Sequence, residues 1–211
     1  MTTAPVFNSL SGLRDAIARY MNRTDLGPDI PGFIAIAESR IALDLRHWQM
    51  VKPLALTALA ANGYVRVPDD WLEWDRVTVG QRLMEYATPE QFWQSAGPPD
   101  SFNRRNDQYT MEGGMLVVAA PSTDPNATDI DVQATYYARI PPLNDTDPAG
   151  WLLTQFPMVY LYASLVSACE FVKDDGRAQG WAAQYQAAAQ ALNCGSTKAL
   201  TSGSPLRQRA R

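Results

Sequence analysis

Histidine and cysteine are nearly missing from this chain of 211 residues, which holds one of the first, His47, and two of the second, Cys169 and Cys194. A histidine-based metal site or a Ser-His-Asp triad would have to use His47, and no metal-ligand spacing surrounds it. It reads as a helix-face residue. The cysteines form neither a CxxC pair nor a disulfide framework, so a reducing, cytoplasmic setting is expected. Met1 to Leu10 lacks a basic flank and an apolar run, and no signal peptide is read there. No glycine-rich phosphate loop exists, because Gly113-Gly114 belongs to a hairpin. Asp124, Asn126, Asp129 and Asp131 lack the spacing, the glycine and the terminal glutamate of a calcium loop. The acid pairs Asp69/Asp70, Asp145/Asp147 and Asp174/Asp175 sit in turns and at helix starts, where turn formation and capping explain them. A glycosidase would need two carboxylates across a cleft. No catalytic, cofactor or metal site is therefore assigned. Of the six tryptophans, Trp48, Trp71, Trp151 and Trp181 fall beside apolar stripes or turns and read as core, while Trp74 and Trp93 stay open to a stacking role.

Charge is present but uneven. The chain is 46% hydrophobic and 19% charged, an ordinary globular balance, with a net charge of −4. Lys198, Arg207, Arg209 and Arg211 lie in the last fourteen residues without an acid. Setting those four aside leaves fourteen bases against twenty-two acids, or −8. An acidic body with a basic tail points to two different partners.

One stretch organises the rest. No charge occurs from Pro148 to Cys169. Leu152, Phe156, Val159, Ala163 and Val166 recur at helical spacing, and Leu161, Leu165, Ala168 and Val172 make a second stripe. A helix apolar nearly all round must be covered nearly all round. Pro157 suits its first turn and Thr154 its cap. The run reaches the length of a membrane span only by accepting Thr154, Gln155, Pro157, Ser164 and Ser167, so it reads as a buried helix and no membrane is expected. Asp174-Asp175 breaks the chain before another helix through Trp181, Tyr185, Ala188 and Leu192. Phe156, Val159, Ala163 and Val166 are the predicted bundle core.

Upstream, Ser9 or Ser11 caps a helix with Leu10, Leu13, Ile17 and Tyr20 on one face. A second starts near Pro31, with Phe33, Ile34, Ala37, Ile41, Leu45 and Trp48 as its stripe. Glu38, Arg40, Asp44 and Arg46 read as its solvated face, or as a face toward a neighbouring subunit. From Pro53 the period becomes two. Leu54, Leu56 and Ala58 alternate into a turn at Ala61-Asn-Gly, and Tyr64-Val-Arg-Val pairs back. Pro68 to Trp74 reads as a turn or one helical turn. Asp75–Val79 and Arg82–Tyr86 form a hairpin, Thr88 caps a short helix, Gln108–Glu112 and Met115–Ala120 form a second hairpin, and Asp129–Arg139 is a long strand. Helices, then strands, then helices predict an α+β fold. It comprises N-terminal bundle helices at 1–52, an inserted β-rich lobe at 53–143, a C-terminal helix hairpin at 144–194, and an extended basic tail at 195–211.

Two stretches carry a resemblance. One is Tyr136-Tyr-Ala-Arg-Ile-Pro-Pro-Leu, followed by Gly150-Trp-Leu-Leu-Thr and Tyr160-Leu-Tyr-Ala-Ser-Leu. The other is Ile30-Pro-Gly-Phe-Ile-Ala-Ile-Ala-Glu-Ser-Arg-Ile, with Val67-Pro-Asp-Asp-Trp-Leu-Glu downstream. Together with Lys173-Asp-Asp and Trp181 they resemble the head–tail adaptor proteins of short-tailed bacteriophages, over residues 9–194. Gly150 departs from the asparagine expected before Trp-Leu-Leu.

The resemblance implies a structural protein and no enzyme. About twelve copies would ring the underside of the phage portal, extend the DNA channel and receive a tail nozzle or tail-tube protein. DNA would pass without sequence-specific binding. Location would be the head–tail junction of the virion, after synthesis in the host cytoplasm. Within that frame the tail is the expected portal anchor. Leu200 and Leu206 are its apolar holds, Pro205 stiffens it, and Arg207, Arg209 and Arg211 fall on one side of an extended chain. The simpler alternative for the tail is a basic segment brushing DNA. For the whole chain the alternative is a carbohydrate-binding or depolymerising tail component using Trp74, Trp93 and the acidic loops. An intracellular enzyme ranks third.

Overall fold

A computed structural model describes residues 7–59, 63–95, 107–119, 129–146 and 149–201. The fold is α+β and divides into two compact units. One joins residues 1–48 to 140–211, and the other is the insertion 49–139.

In the helical unit, α1 spans Leu10–Met21 and α2 Ile30–Asp44. Ser9 Oγ accepts from Gly12 N at 3.2 Å, which caps α1, and Asn22 ends it in the left-handed region at φ 52°. The apolar spacing is realised: Leu10, Leu13, Ala16, Ile17 and Met21 are buried from α1, and Ile30, Phe33, Ile34, Ala37 and Ile41 from α2. Tyr20, placed on the inner face of α1 by spacing, is half exposed.

The long apolar stretch is broken once. α4 covers Trp151–Gln155 and α5 Pro157–Phe171, with Phe156 between them at φ −134°, ψ 57°. A residue before proline is pushed out of the α region, so the helix restarts at Pro157. Thr154 does not cap α5. Its hydroxyl donates to the carbonyls of Ala149 at 2.9 Å and Gly150 at 3.2 Å, closing α4 instead. α5 packs against α1, α2, α4 and the last helix, α6, Asp175–Thr201. Every α5 residue from Val159 to Cys169 except Tyr162 is buried. The chain turns into α6 through Lys173 at φ 60°, and Asp174 Oδ1 accepts from Arg177 N at 3.2 Å.

His47 is a correction to the sequence reading. It lies beyond α2, in the segment after Leu45, and is 6% exposed. Its ring stacks on Trp151 with centroids 5.2 Å apart and meets the edge of Phe156 at 5.9 Å. Burial lowers its pKa. The unfolded chain then takes up a proton near pH 6.5 that the folded chain refuses until lower pH. Stability is full above the unfolded pKa and falls as pH drops below it. The melting temperature should decline between pH 7 and pH 5, and His47→Gln should flatten that decline. A slope unchanged in the variant would show that another group is responsible.

Among the described residues the inserted unit has two four-stranded sheets. Its strands are β1 (Val51–Leu59), β2 (Tyr64–Arg66), β3 (Trp71–Val79), β4 (Arg82–Leu83), β5 (Glu85–Tyr86), β6 (Gln108–Glu112), β7 (Met115–Val118) and β8 (Asp129–Ala138), with helix α3 at Pro89–Ser95. The orders are β1-β8-β3-β4 and β2-β7-β6-β5. Val77, Val79, Val132 and Ala134 of the first sheet share one core with Val65, Leu116, Val117 and Val118 of the second.

Three local expectations fail here for identifiable reasons. β1 does not form a hairpin with β2. It pairs along its whole length with β8, from Val51↔Tyr137 to Leu59↔Asp129, because β8 offers a partner of matching length. β2 joins the other sheet. Gly63 adopts a left-handed φ of 69°, and its carbonyl accepts from Val118 N at 3.0 Å. A Cβ there would sit 2.3 Å from the Val118 oxygen, so only glycine fits. The stretch before Asp75 is strand from Trp71 onward, with register irregularities that let Trp74 pack on Tyr136 at 5.9 Å. The strand after Gly80-Gln81 splits at buried Met84. β4 stays with β3, and β5 pairs parallel with β6.

Candidate assembly surfaces

Asp70, from the Asp69/Asp70 pair, is tied to a structural task. Asp70 accepts from Lys52 Nζ at 2.7 Å and from the Tyr136 hydroxyl at 2.9 Å. The lysine holds its carboxyl below the usual range, while burial and the carboxylate push the Tyr136 phenol up to about 12. No group of three or more His, Cys, Asp or Glu side chains suited to a metal occurs among the described residues. Trp74 Nε1 donates to Met111 Sδ at 3.2 Å inside the lobe. Trp93 lies outward and half exposed, donating to Glu112 Oε2 at 3.3 Å. Trp48, expected in the core, is 46% exposed. No helix among the described residues is long and apolar enough to cross a membrane.

The charges of α2 are spent on bonds within the helical unit, though Asp44 stays exposed. Glu38 Oε1 accepts from Leu143 N at 2.7 Å, and burial raises the pKa of that carboxyl. Arg40 reaches Glu170 at 3.6 Å. Asp44 Oδ2 accepts from the Tyr185 hydroxyl at 2.9 Å; burial, then the carboxylate, raises the pKa of that phenol. The outward side of α2 is instead Gly32, Ala35, Ile36, Ser39 and Leu43, none of them charged. Ile36 is 52% and Leu43 78% exposed.

α6 has a similar outward side. Ala178, Tyr185, Ala189 and Ser196 face inward. Gly176, Gly180, Ala183, Ala187 and Cys194 are exposed on the opposite side, and no charge occurs from Ala178 to Gly195. The far end of α6 is tied to the segment that follows α2. Asn193 Nδ2 donates to the Asp44 carbonyl at 2.9 Å, Asn193 Oδ1 accepts from Arg46 N at 2.8 Å, and Ser196 Oγ accepts from Trp48 N at 2.7 Å.

Of the predicted core residues, Val159, Ala163 and Val166 are buried and Phe156 is half buried beside His47. Helix α6 continues to Thr201, so residues 195–201, assigned by sequence to the extended tail, are helical. Leu200 belongs to that last stretch, and its side chain lies outside the described residues, as do Pro205, Leu206, Arg207, Arg209 and Arg211. The outward Ile36 and Leu43 were missed. Their signal was legible as two large apolar residues one heptad apart and off the main stripe.

The helical unit thus carries two outward helix faces without charge, one on α2 and one on α6. The sequence model of the SU10 adaptor protein family matches residues 8–209, and the chain belongs to that family. The family is one of structural phage adaptor proteins, not enzymes. No curated protein matches the chain.

Proposed function

We propose that this chain is a head–tail adaptor of a short-tailed phage. About twelve copies form a ring under the portal, extend the DNA channel and dock the tail nozzle or tube. The family membership carries this reading, and the uncharged outward faces of α2 and α6 agree with a part that meets other proteins. Closure of a ring by repeated head-to-tail contacts is the symmetry that such a part requires. The acidic body suits a conduit that must not hold passing DNA. The basic tail anchors the ring to the portal through Leu200, Pro205, Leu206, Arg207, Arg209 and Arg211. The protein works at the head–tail junction of the virion after synthesis in the host cytoplasm.

Free protein should be largely monomeric, because most large apolar side chains are consumed within the two cores. Light scattering at micromolar concentration should give the mass of one chain. Mixed with portal from the same virus and viewed in negative stain, the protein should add a ring. A stable ring without portal contradicts the template requirement, and no added ring contradicts the function.

A further inference from the structure

We infer that neighbouring copies meet by the outward face of α2 on one and the outward face of α6 on the next. The inference rests on the ring reading and names its seam. A solvated helix carries charge on its outer side. α2 instead spends Glu38, Arg40 and Asp44 on bonds within its own unit and turns Ile36 and Leu43 outward. Those two stand one heptad apart, two knobs about 10 Å from each other along one line. On α6, Gly180 and Ala187 have the same spacing within a strip of small residues. The uncharged stretch from Ala178 to Gly195 is about 27 Å long. Glutamines 179, 184, 186 and 190 flank it and supply both donors and acceptors to a rim.

The occupant is a second copy. Neither face offers the lysine or arginine that supplies the electrostatic affinity for a nucleic-acid backbone, so a protein surface is the better fit. Interface centres are depleted of charge in this way. The apolar area of the α2 face is of the order of a few hundred Å², below the roughly 800 Å² per partner of a stable pair. At micromolar concentration such a seam holds only when a template gathers the copies; at high concentration it closes without one. Two different faces of one unit give a heterologous contact, which continues around a ring and does not stop at a dimer.

The test uses Leu43→Lys, Ala187→Glu and the double variant on the full chain. Both positions of change are exposed, and melting of all three variants should match the wild type. Each single change should lower the adaptor recovered with portal at least tenfold, and the double variant should regain it to within about twofold through an ion pair across the seam. A single variant that assembles like the wild type, or a double variant that stays defective, overturns the inference. If wild-type protein adds no ring to portal, the function fails first. The seam is then judged by sedimentation at high concentration. Self-association lost in both single variants and regained in the double keeps it, and any other pattern discards it.

Discussion

Val166→Asp should abolish the folded state. Val166 is 3% exposed on α5, the helix against which α1, α2, α4 and α6 all pack. A carboxylate there would either lose its hydration or force the helices apart. Burying an unpaired charge belongs to the few single changes that cost more than about 4 kcal/mol. Domains of this size are stable by only about 5–15 kcal/mol. Circular dichroism should show the cooperative melting transition lost at room temperature or shifted far down. Val166→Ala removes two methyl groups and should cost about 2 kcal/mol, lowering the transition while keeping it cooperative. If Val166→Asp melts like the wild type and fails only to assemble, α5 lies at a subunit seam and the bundle-core assignment is wrong.

Ending the chain at Thr201 should abolish portal binding while leaving the fold intact. The place of the cut follows from the structure. A chain ending at Cys194 would also remove Ser196, which is buried and accepts from Trp48 N, and its loss of binding would be ambiguous. Residues 202–211 hold Pro205, Leu206 and three arginines. A fully buried leucine contributes roughly 1.5–3 kcal/mol, which converts to about 10- to 100-fold in affinity. Exposed ion pairs contribute up to about 1 kcal/mol each and fade with salt. Leu206→Ser should therefore weaken co-sedimentation with portal at least tenfold at any salt. A tail that only brushes DNA would tolerate Leu206→Ser and respond to arginine removal with a steep salt slope. Portal binding by the shortened chain equal to that of the intact one would remove the anchor from the proposal.

Much of the architecture follows from local signals. Ser9 capped α1, Thr88 sits at cap position before α3 with its hydroxyl 3.4 Å from Gln91 N, and Gly113-Gly114 turned β6 into β7. Such signals act over a few residues. The pairing of β1 with β8 joins residues 70 (Leu59↔Asp129) to 86 (Val51↔Tyr137) positions apart and depends on matched strand length, which no local window contains. Pro157 opens α5 in its first turn as its chemistry implied, while the short helix α4 just before it, ending ahead of Phe156, had no such local signal. The charges of α2 misled for a related reason. Glu38 and Asp44 have partners at Leu143 and Tyr185, supplied from the other end of the chain. Without those partners in view, a charged residue on a helix reads as solvated, and Ile36 and Leu43 read as surplus to the stripe.

The bundle is written in two pieces, 1–48 and 140–211, with the whole lobe between them. This sets an order for folding during synthesis. α1 and α2 leave the ribosome early with their apolar faces bare, because α5 has not yet been made. Residues 49–139 emerge next and hold all the strands they need for their two sheets. At about 5–20 residues per second, α2 waits several seconds or more for α5. The last bonds to close, from Asn193 and Ser196 to Asp44, Arg46 and Trp48, join residues 147 to 149 positions apart. A nascent chain stalled just short of those residues would hold a finished lobe and an unfinished bundle.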